Sequence, residues 1–197
     1  MKILFQSNAM RSNSAFTLIE IMVVIGIIAI ISAIAIPNLM NPEHKLKSAA
    51  TGLMGDIQKT RSMAIKTNTT WGIWFDKANN RYIISSYTGK DEAWSKIDTD
   101  GSQPIEKEVV FSGNIAGVQY GHGAATKTVT GNTSFPKEET TYSSEVLTFD
   151  SKGVCSAAVS GYGYRYVYLE HGELTYAVGT GATGIVRLFR WDGKKWQ

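Results

Sequence analysis

A single carboxylate lies near the start of a long apolar run in this 197-residue chain. Between residues 16 and 36 the only charged side chain is Glu20. An unpaired carboxylate close to hydrocarbon costs a few kcal/mol, which makes Glu20 a candidate functional group. The alternative is that Glu20 marks the polar end of an ordinary membrane anchor, where a charge costs little. Both interpretations predict a membrane-spanning helix, because a helix of this length rises roughly 32 Å.

A group of glycines at residues 179–184 has the spacing of a dinucleotide-binding loop. Gly179, Gly181 and Gly184 fit the pattern G-x-G-x-x-G. That chemistry requires a helix N-terminus directly after the glycines, where it holds a pyrophosphate. The residues that follow, 185–189, alternate as in a strand. We therefore interpret the glycines as a hairpin loop.

Candidate metal ligands and nucleophiles are sparse. Asp98 and Asp100 have calcium-like spacing with Glu106 nearby, but the third acidic position and the terminal bidentate acid of an EF-hand loop are missing. We interpret this segment as a turn. The histidines lie far apart, without a second His or Cys at ligand spacing: His44, His122 and His171. No Gly-x-Ser-x-Gly elbow exposes a nucleophile. The sequence therefore predicts no metal site, no cofactor and no enzyme.

One basic-aromatic cluster lies near the C-terminus. It contains four cations interleaved with Trp191 and Trp196: Arg187, Arg190, Lys194 and Lys195. Such a cluster can bind phosphates and stack bases. The simpler interpretation, which we favour, is a last strand with solvated cations and core-facing Val186 and Leu188. Bulk charge does not support nucleic-acid binding, because without residues 1–15 the chain has 18 basic and 17 acidic residues.

Length and composition predict one soluble domain after the apolar run. Residues 5–9 read like a linker left by cloning, so we exclude residues 1–9 from fold reasoning and take Met10 as the natural start. Cys155 is the only cysteine, which rules out an internal disulfide. Its apolar, small-residue surroundings favour a buried side chain.

The elements that must position these groups begin with two helices. Pro37 is expected to end or kink the first helix. Asn41 as N-cap, Pro42 and Glu43 then predict a second helix that reaches about Lys66. Its apolar stripe is Leu46, Ala50, Leu53, Ile57, Thr60 and Ala64. The charged residues on its other faces are expected to be solvated: Lys45, Lys47, Asp56, Lys59, Arg61 and Lys66.

From Trp71 onward, the spacing of the apolar residues changes from the helical period to the alternation of a β-strand. Residues 71–75 and 81–86 flank a five-residue polar connection typical of a hairpin. Residues 88–108 are interpreted as a long loop, and residues 121–141, rich in Gly, Thr and Ser, as a mobile excursion. Further strands are expected at 109–111, 115–120, 145–149, 164–170, 174–178 and 185–191, with a terminal turn at residues 192–193. The fold class is α+β, with a long helix packed on antiparallel sheet.

The N-terminal segment resembles a known family. Residues 15–20, Ala-Phe-Thr-Leu-Ile-Glu, the apolar run and Pro37 resemble the N-terminus of type IV pilins and type II secretion pseudopilins. The resemblance implies that prepilin peptidase cuts between Ala15 and Phe16 and methylates the new Phe16 amine. It also implies that Glu20 offsets that amine on a neighbouring subunit in the filament. Ala15 departs from the pattern, because the family normally has Gly before the cut.

Shorter downstream segments narrow the resemblance. Residues 56–66, 147–153 and 184–188 are similar to minor pilins of GspH/FimT type, in which two small antiparallel sheets usually pack beside the helix. Some FimT-type proteins take up DNA through a C-terminal Gly-Arg-x-Arg motif. Here Gly184 is followed by Ile-Val-Arg, so the first arginine of that motif is missing.

The resemblance implies a non-enzymatic filament subunit with three segments: a leader at 1–15, a transmembrane and filament-core helix at 16–37, and a periplasmic domain at 38–197. The expected function is a minor pilin or pseudopilin that acts in assembly initiation or at the tip. Lys2 and Arg11 precede the apolar run, which favours a single-pass inner-membrane protein with a cytoplasmic N-terminus. The expected partners are other pilins, prepilin peptidase and the inner membrane. The alternative is a DNA-binding minor pilin for DNA uptake.

Overall fold

The computed structural model describes residues 16–39, 41–86, 105–135, 140, 142, 145–155 and 164–197. The leader with Ala15 and the turn around Asp98 and Asp100 lie outside these residues. The chain divides into two compact units, Met1–Asn38 and Leu39–Gln197. Each unit is described separately below.

The first unit contains helix α1, Leu18–Leu39. The helix passes Pro37 and continues for two residues, so the proline does not end it. A kink at Pro37 stays a prediction. Within the described residues, no helix meets the length and hydropathy required of a membrane span.

The second unit begins with helix α2, Pro42–Thr67. Its predicted start is confirmed, because Asn41 is the N-cap and its Oδ1 accepts a hydrogen bond from the Glu43 N–H at 2.9 Å. The predicted apolar stripe is confirmed as well, since all six residues are buried: Leu46, Ala50, Leu53, Ile57, Thr60 and Ala64. The helix ends at Asn68, which adopts a left-handed conformation with φ 53°.

In the described part of the chain, eight strands follow and form two antiparallel four-stranded sheets with the orders β3-β2-β1-β5 and β4-β6-β7-β8. The strands are β1 Trp71–Asp76, β2 Arg81–Ser86, β3 Ile105–Val110, β4 Gln119–Tyr120, β5 Val146–Phe149, β6 Arg165–His171, β7 Leu174–Thr180 and β8 Val186–Arg190. The α+β fold class is therefore confirmed.

The main core lies between α2 and one face of each sheet. Leu53 and Ile57 of α2 belong to one buried cluster with β1, β2 and β5 of the first sheet and β6, β7 and β8 of the second. A smaller cluster lies on the other face of the second sheet and contains Tyr166, Tyr168 and Ala177. Cys155 is buried, as predicted. Apolar packing from both sheets onto a single helix face thus holds the unit together.

Two sequence expectations about strands were wrong. Residues 105–108, expected in a loop, begin β3. The strand expected at 115–120 is a 3₁₀ turn, Gly113–Ile115, followed by the two-residue β4. Residues 121–135 contain no helix or strand, as expected of the excursion at 121–141. They pack on the second sheet, where Phe135 stacks on His122 and meets Tyr168 edge-on. The mobility of this excursion stays a prediction.

Candidate functional site: the α1 helix and the charged contacts of the domain

The first turn of α1 is closed by its own side chains. The Glu20 N–H donates to Thr17 Oγ1 at 3.3 Å and to the Thr17 carbonyl oxygen at 3.1 Å. The spacing Thr-x-x-Glu matches a capping box, although only the threonine half of the reciprocal pair is present in this geometry. Glu20 also lies in the first turn, where the helix dipole favours a negative charge. Glu20 is therefore held at a fixed position one turn from Phe16.

The large apolar side chains of residues 18–31 are exposed on every side of α1. Their exposed fractions range from 49% at Val24 to 78% at Leu18. Successive residues such as Ile27 and Ile28 point in different directions, and both are more than half exposed. A helix that is hydrophobic all round requires an apolar environment on all sides. Among the described residues, none forms a hydrogen bond or an ion pair with the carboxylate of Glu20.

The basic-aromatic cluster of the sequence does not form one surface. Val186 and Leu188 face the core, as predicted, and Arg190 on the same face pairs with Glu43 of α2 at 2.9 Å. Arg187 points to the opposite face, with its guanidinium 5.3 Å from the ring centre of Tyr164. The two arginines are therefore separated by the sheet.

The remaining cations and tryptophans have structural surroundings. The backbone N–H groups of Lys194 and Lys195 both donate to Asp192 Oδ1 at 2.8 Å, which forms the predicted terminal turn. Trp191 is buried, and Trp196 donates from its ring N–H to the Lys127 carbonyl oxygen. Nucleic-acid binding through these residues stays a prediction.

The glycine constellation forms a hairpin between β7 and β8, as interpreted from the sequence. The Gly181 N–H donates to the Ile185 carbonyl oxygen at 2.9 Å, and the Gly184 N–H donates to the Gly181 carbonyl oxygen at 2.8 Å. β8 follows directly, where a nucleotide site would need a helix. Gly184 lies against Arg61 of α2, which donates from Nε to the Gly153 carbonyl oxygen at 2.9 Å.

Metal-ligating side chains do not converge in the described part of the chain: no group of three or more His, Cys, Asp or Glu could hold an ion there. His44 is exposed on α2, whereas the ring of His122 stacks on Phe135 with centroids 4.0 Å apart. His171 ends β6 and lies against Gly117. The three histidines thus have separate surroundings.

Sequence reasoning missed a buried polar cluster centred on Asp56. The expectation that Asp56 is solvated was wrong, because the residue is 7% exposed. Lys107 Nζ donates to both carboxylate oxygens at 2.8 and 2.7 Å, and the Tyr82 hydroxyl donates to Oδ2 at 2.7 Å. Burial, the hydrogen bond to Asp56 and the charge of that carboxylate raise the pKa of Tyr82 far above its ordinary range. The position of Asp56 beside the apolar stripe was the available signal.

A second buried carboxylate, Asp76, closes the β1–β2 hairpin. Its Oδ2 accepts hydrogen bonds from Arg81 Nε and Asn79 Nδ2, both at 2.7 Å. Burial opposes ionisation, but these bonds, the Asn79 backbone N–H and the arginine charge prevail and hold the pKa of Asp76 below its usual value. Both clusters connect secondary-structure elements, so their geometry is that of structural ion pairs.

Comparison with known proteins places the N-terminal segment in a class. Residues 10–36 match the family model described as the prokaryotic N-terminal methylation motif. This confirms an N-terminal methylation motif in the segment that contains Phe16, Glu20 and most of α1.

Two solved structures are similar to this chain over most of their length. One is the minor pseudopilin EpsH from the Type 2 Secretion System of Vibrio cholerae, with 12% identity, 74% of this chain and 97% of that chain covered, and a TM-score of 0.45. The other is the type IV minor pilin FimU of Pseudomonas aeruginosa strain PAO1, with 16% identity, 79% and 94% coverage, and a TM-score of 0.48. A comparison with curated proteins gave no match.

Proposed function

We propose that this chain is a minor pilin or minor pseudopilin, a non-enzymatic structural subunit of a type IV pilus or a type II secretion pseudopilus. The observation that carries the proposal is α1: an N-terminal methylation motif on a helix that is apolar on every side and has one acid in its first turn. Such a helix fits the apolar core of a bundle of similar helices. A role in initiation or at the tip is the finer form of the same proposal.

The proposed chemistry begins with hydrolysis of the Ala15–Phe16 peptide bond by prepilin peptidase. The new amine of Phe16 then receives a methyl group and keeps its positive charge. Before assembly, α1 lies in the bacterial inner membrane with the N-terminus on the cytoplasmic side and the domain in the periplasm. The partners of this subunit are the peptidase, the membrane and other pilins.

In this proposal, Glu20 sets the axial register between neighbouring α1 helices during assembly. In an apolar filament core, a charged amine and a charged carboxylate are each expensive unless they are paired. Thr17 caps the first turn and thereby fixes the height of Glu20 on the helix. Pairing of Glu20 with the Phe16 amine of a neighbouring subunit therefore favours one axial offset between helices and disfavours others.

Substitution of Glu20 tests this mechanism. Glu20→Gln keeps the size of the side chain and removes its charge, so we expect a decrease of at least about tenfold in the filament fraction, because the neighbouring amine is left unpaired. The amount in the membrane fraction should not change. Both fractions are measured by quantitative immunoblotting of sheared filaments and washed membranes.

Two controls separate charge from helix capping and from processing. Glu20→Asp retains the charge and should retain most incorporation, whereas Thr17→Ala removes the cap at a cost of about 1 kcal/mol but leaves the carboxylate. Mass spectrometry of each variant should show a methylated Phe16 at the N-terminus. Incorporation of processed Glu20→Gln at the wild-type level would refute the mechanism.

The nucleic-acid alternative requires its cations on one surface. Arg187 and Arg190 lie on opposite faces of the second sheet, and Arg190 already pairs with Glu43. These positions favour a structural role for the C-terminal strand, so we do not adopt the alternative.

A further inference from the structure

The edge strand β3 has little apolar attachment to the domain. Of its six residues only Val109 is even partly buried, and Val109 packs against the main core. Ile105 and Val110, at its two ends, are 42% and 44% exposed. The next residue, Phe111, is buried and packs against the rings of Tyr82 and Tyr120. Among the described residues, the aromatic anchor of the strand lies at its Phe111 end.

Ion pairs make most of the remaining side-chain attachment of β3. Lys107 binds Asp56 of α2, and its neighbour Glu106 binds Lys59 of α2 at 3.0 Å. On β2, Arg81 Nη1 lies 2.8 Å from Glu108 Oε1. All three charged residues of β3 thus have a partner on another element.

A β-bulge makes the two contacts with α2 possible. The register between β2 and β3 shifts between Ile84 and Ser85, and Glu106 is left without a Cα partner on β2. Neighbouring residues of a regular strand point to opposite faces. The bulge lets Glu106 and Lys107 both reach α2, where Asp56 and Lys59 lie one helical turn apart. Alternating charges on the strand thus meet alternating charges on the helix.

Solvent reaches most of these groups. The side chains of Lys59, Glu106, Lys107 and Glu108 are between 37% and 48% exposed, whereas Asp56 and Arg81 are largely buried. Exposed ion pairs contribute little individually and weaken as salt screens them. Among the described strands, β3 is hydrogen-bonded to β2 alone, because it is the first strand of its sheet.

We propose that β3 is a salt-releasable strap: it detaches from α2 and β2 by local opening while the rest of the domain stays folded. Opening breaks the three ion pairs, pivots at Phe111 and uncovers the backbone edge of β2. The proposal does not depend on the filament function. Local opening of this kind occurs where apolar burial is low and the stabilising contacts are exposed.

Hydrogen–deuterium exchange of the full chain in non-ionic detergent tests the strap. Raising NaCl from about 0.05 to about 0.5 M should speed exchange of the β3 amides by about tenfold, because the screening length falls from about 14 to about 4 Å and the attraction within exposed pairs weakens. Amides of β6 and β7 serve as the internal reference, and their exchange should change much less. Equal acceleration of both regions, or none in β3, would overturn the proposal.

A charge swap provides the matched control. Lys59→Glu and Glu106→Lys should each speed β3 exchange at low salt, because each places two like charges together. The double variant restores an opposite pair and should return the exchange rate toward that of the wild type. These exposed positions leave the buried Asp56 carboxylate paired, so all three variants should fold. A double variant that exchanges as fast as either single variant would count against the strap.

Discussion

Replacing Gly184 with alanine should weaken the junction at which both sheets meet the end of α2. Gly184 has φ +76°, a conformation that alanine rarely adopts. A Cβ there would lie 2.5 Å from Arg61 Nε and 2.7 Å from the Gly153 carbonyl oxygen. It would therefore disturb the 2.9 Å hydrogen bond from Arg61 to Gly153. Gly193, with φ +96° and nothing within 4 Å of its Cβ position, is a matched control.

The two substitutions share one cost and differ in another. The left-handed conformation costs an alanine about 1–2 kcal/mol at either position. At Gly184 the Arg61 hydrogen bond is lost in addition, which costs about 1.5 kcal/mol for a charged donor in a half-buried site. We therefore expect a loss in free energy of unfolding of about 3 kcal/mol for Gly184→Ala and about 1.5 kcal/mol for Gly193→Ala.

Urea unfolding of the full chain in non-ionic detergent, followed by tryptophan fluorescence, measures both losses as midpoint shifts at constant slope. The Arg61→Ala background provides the decisive comparison, because it lacks the Arg61 side chain and its hydrogen bond but keeps the Gly153 carbonyl oxygen. In that background the difference between the two glycine substitutions should shrink by about 1.5 kcal/mol, the contribution of the lost hydrogen bond. If Gly184→Ala costs no more than Gly193→Ala in the wild-type background, the argument about the junction is wrong.

Two predictions concern pH. The folded-state pKa of Asp76 lies below its unfolded value. The stability that this carboxylate supplies is therefore present above about pH 4 and is lost as the pH falls through the folded pKa. In a plot of unfolding free energy against pH, Asp76→Asn should flatten the acid limb. An acid limb with unchanged slope would contradict this assignment. Burial raises the pKa of Tyr168 to about 12, although the hydrogen bond from the Val129 N–H opposes this shift. The stabilising contribution of the neutral Tyr168 side chain is therefore complete below about pH 10 and is lost as the pH rises toward 12. Phenolate absorbance should therefore show a late step that Tyr168→Phe removes, and an identical titration in that variant would disprove it.

Local patterns were sufficient to predict α2 from the sequence. The N-cap, the first-turn proline and the apolar spacing of 3.6 are all set by residues within a few positions of one another. Asp56 was wrongly assigned to the solvated face of α2, because charged side chains were expected to be exposed. Its partners, Tyr82 and Lys107, are 26 and 51 residues away in sequence. Only the tertiary fold brings them to the helix.

The second half of the chain was harder to predict for the same reason. β3 reads as a loop because its central residues are charged, and the strand is stabilised by partners on α2 and β2 rather than by burial. Residues 121–135 contain few apolar side chains, yet Phe135 and Val129 pack on the second sheet. A single sequence shows the composition of this segment, but it does not show that the second sheet provides a surface on which these side chains pack. Strands β6 and β7 are regular and largely buried, β8 is regular and buried only at Val186, and the existence of all three was predicted.

The arrangement of charges explains why Glu20 is the residue to test first. In the globular domain, acids such as Asp56, Asp76 and Glu43 have cationic partners within the same chain. The carboxylate of Glu20 has no such partner among the described residues, and it lies on a helix whose apolar side chains are exposed on all sides. In the proposed filament, removing water from that helix would leave the charge unpaired, so the proposal requires a cation from another subunit at the step that buries α1.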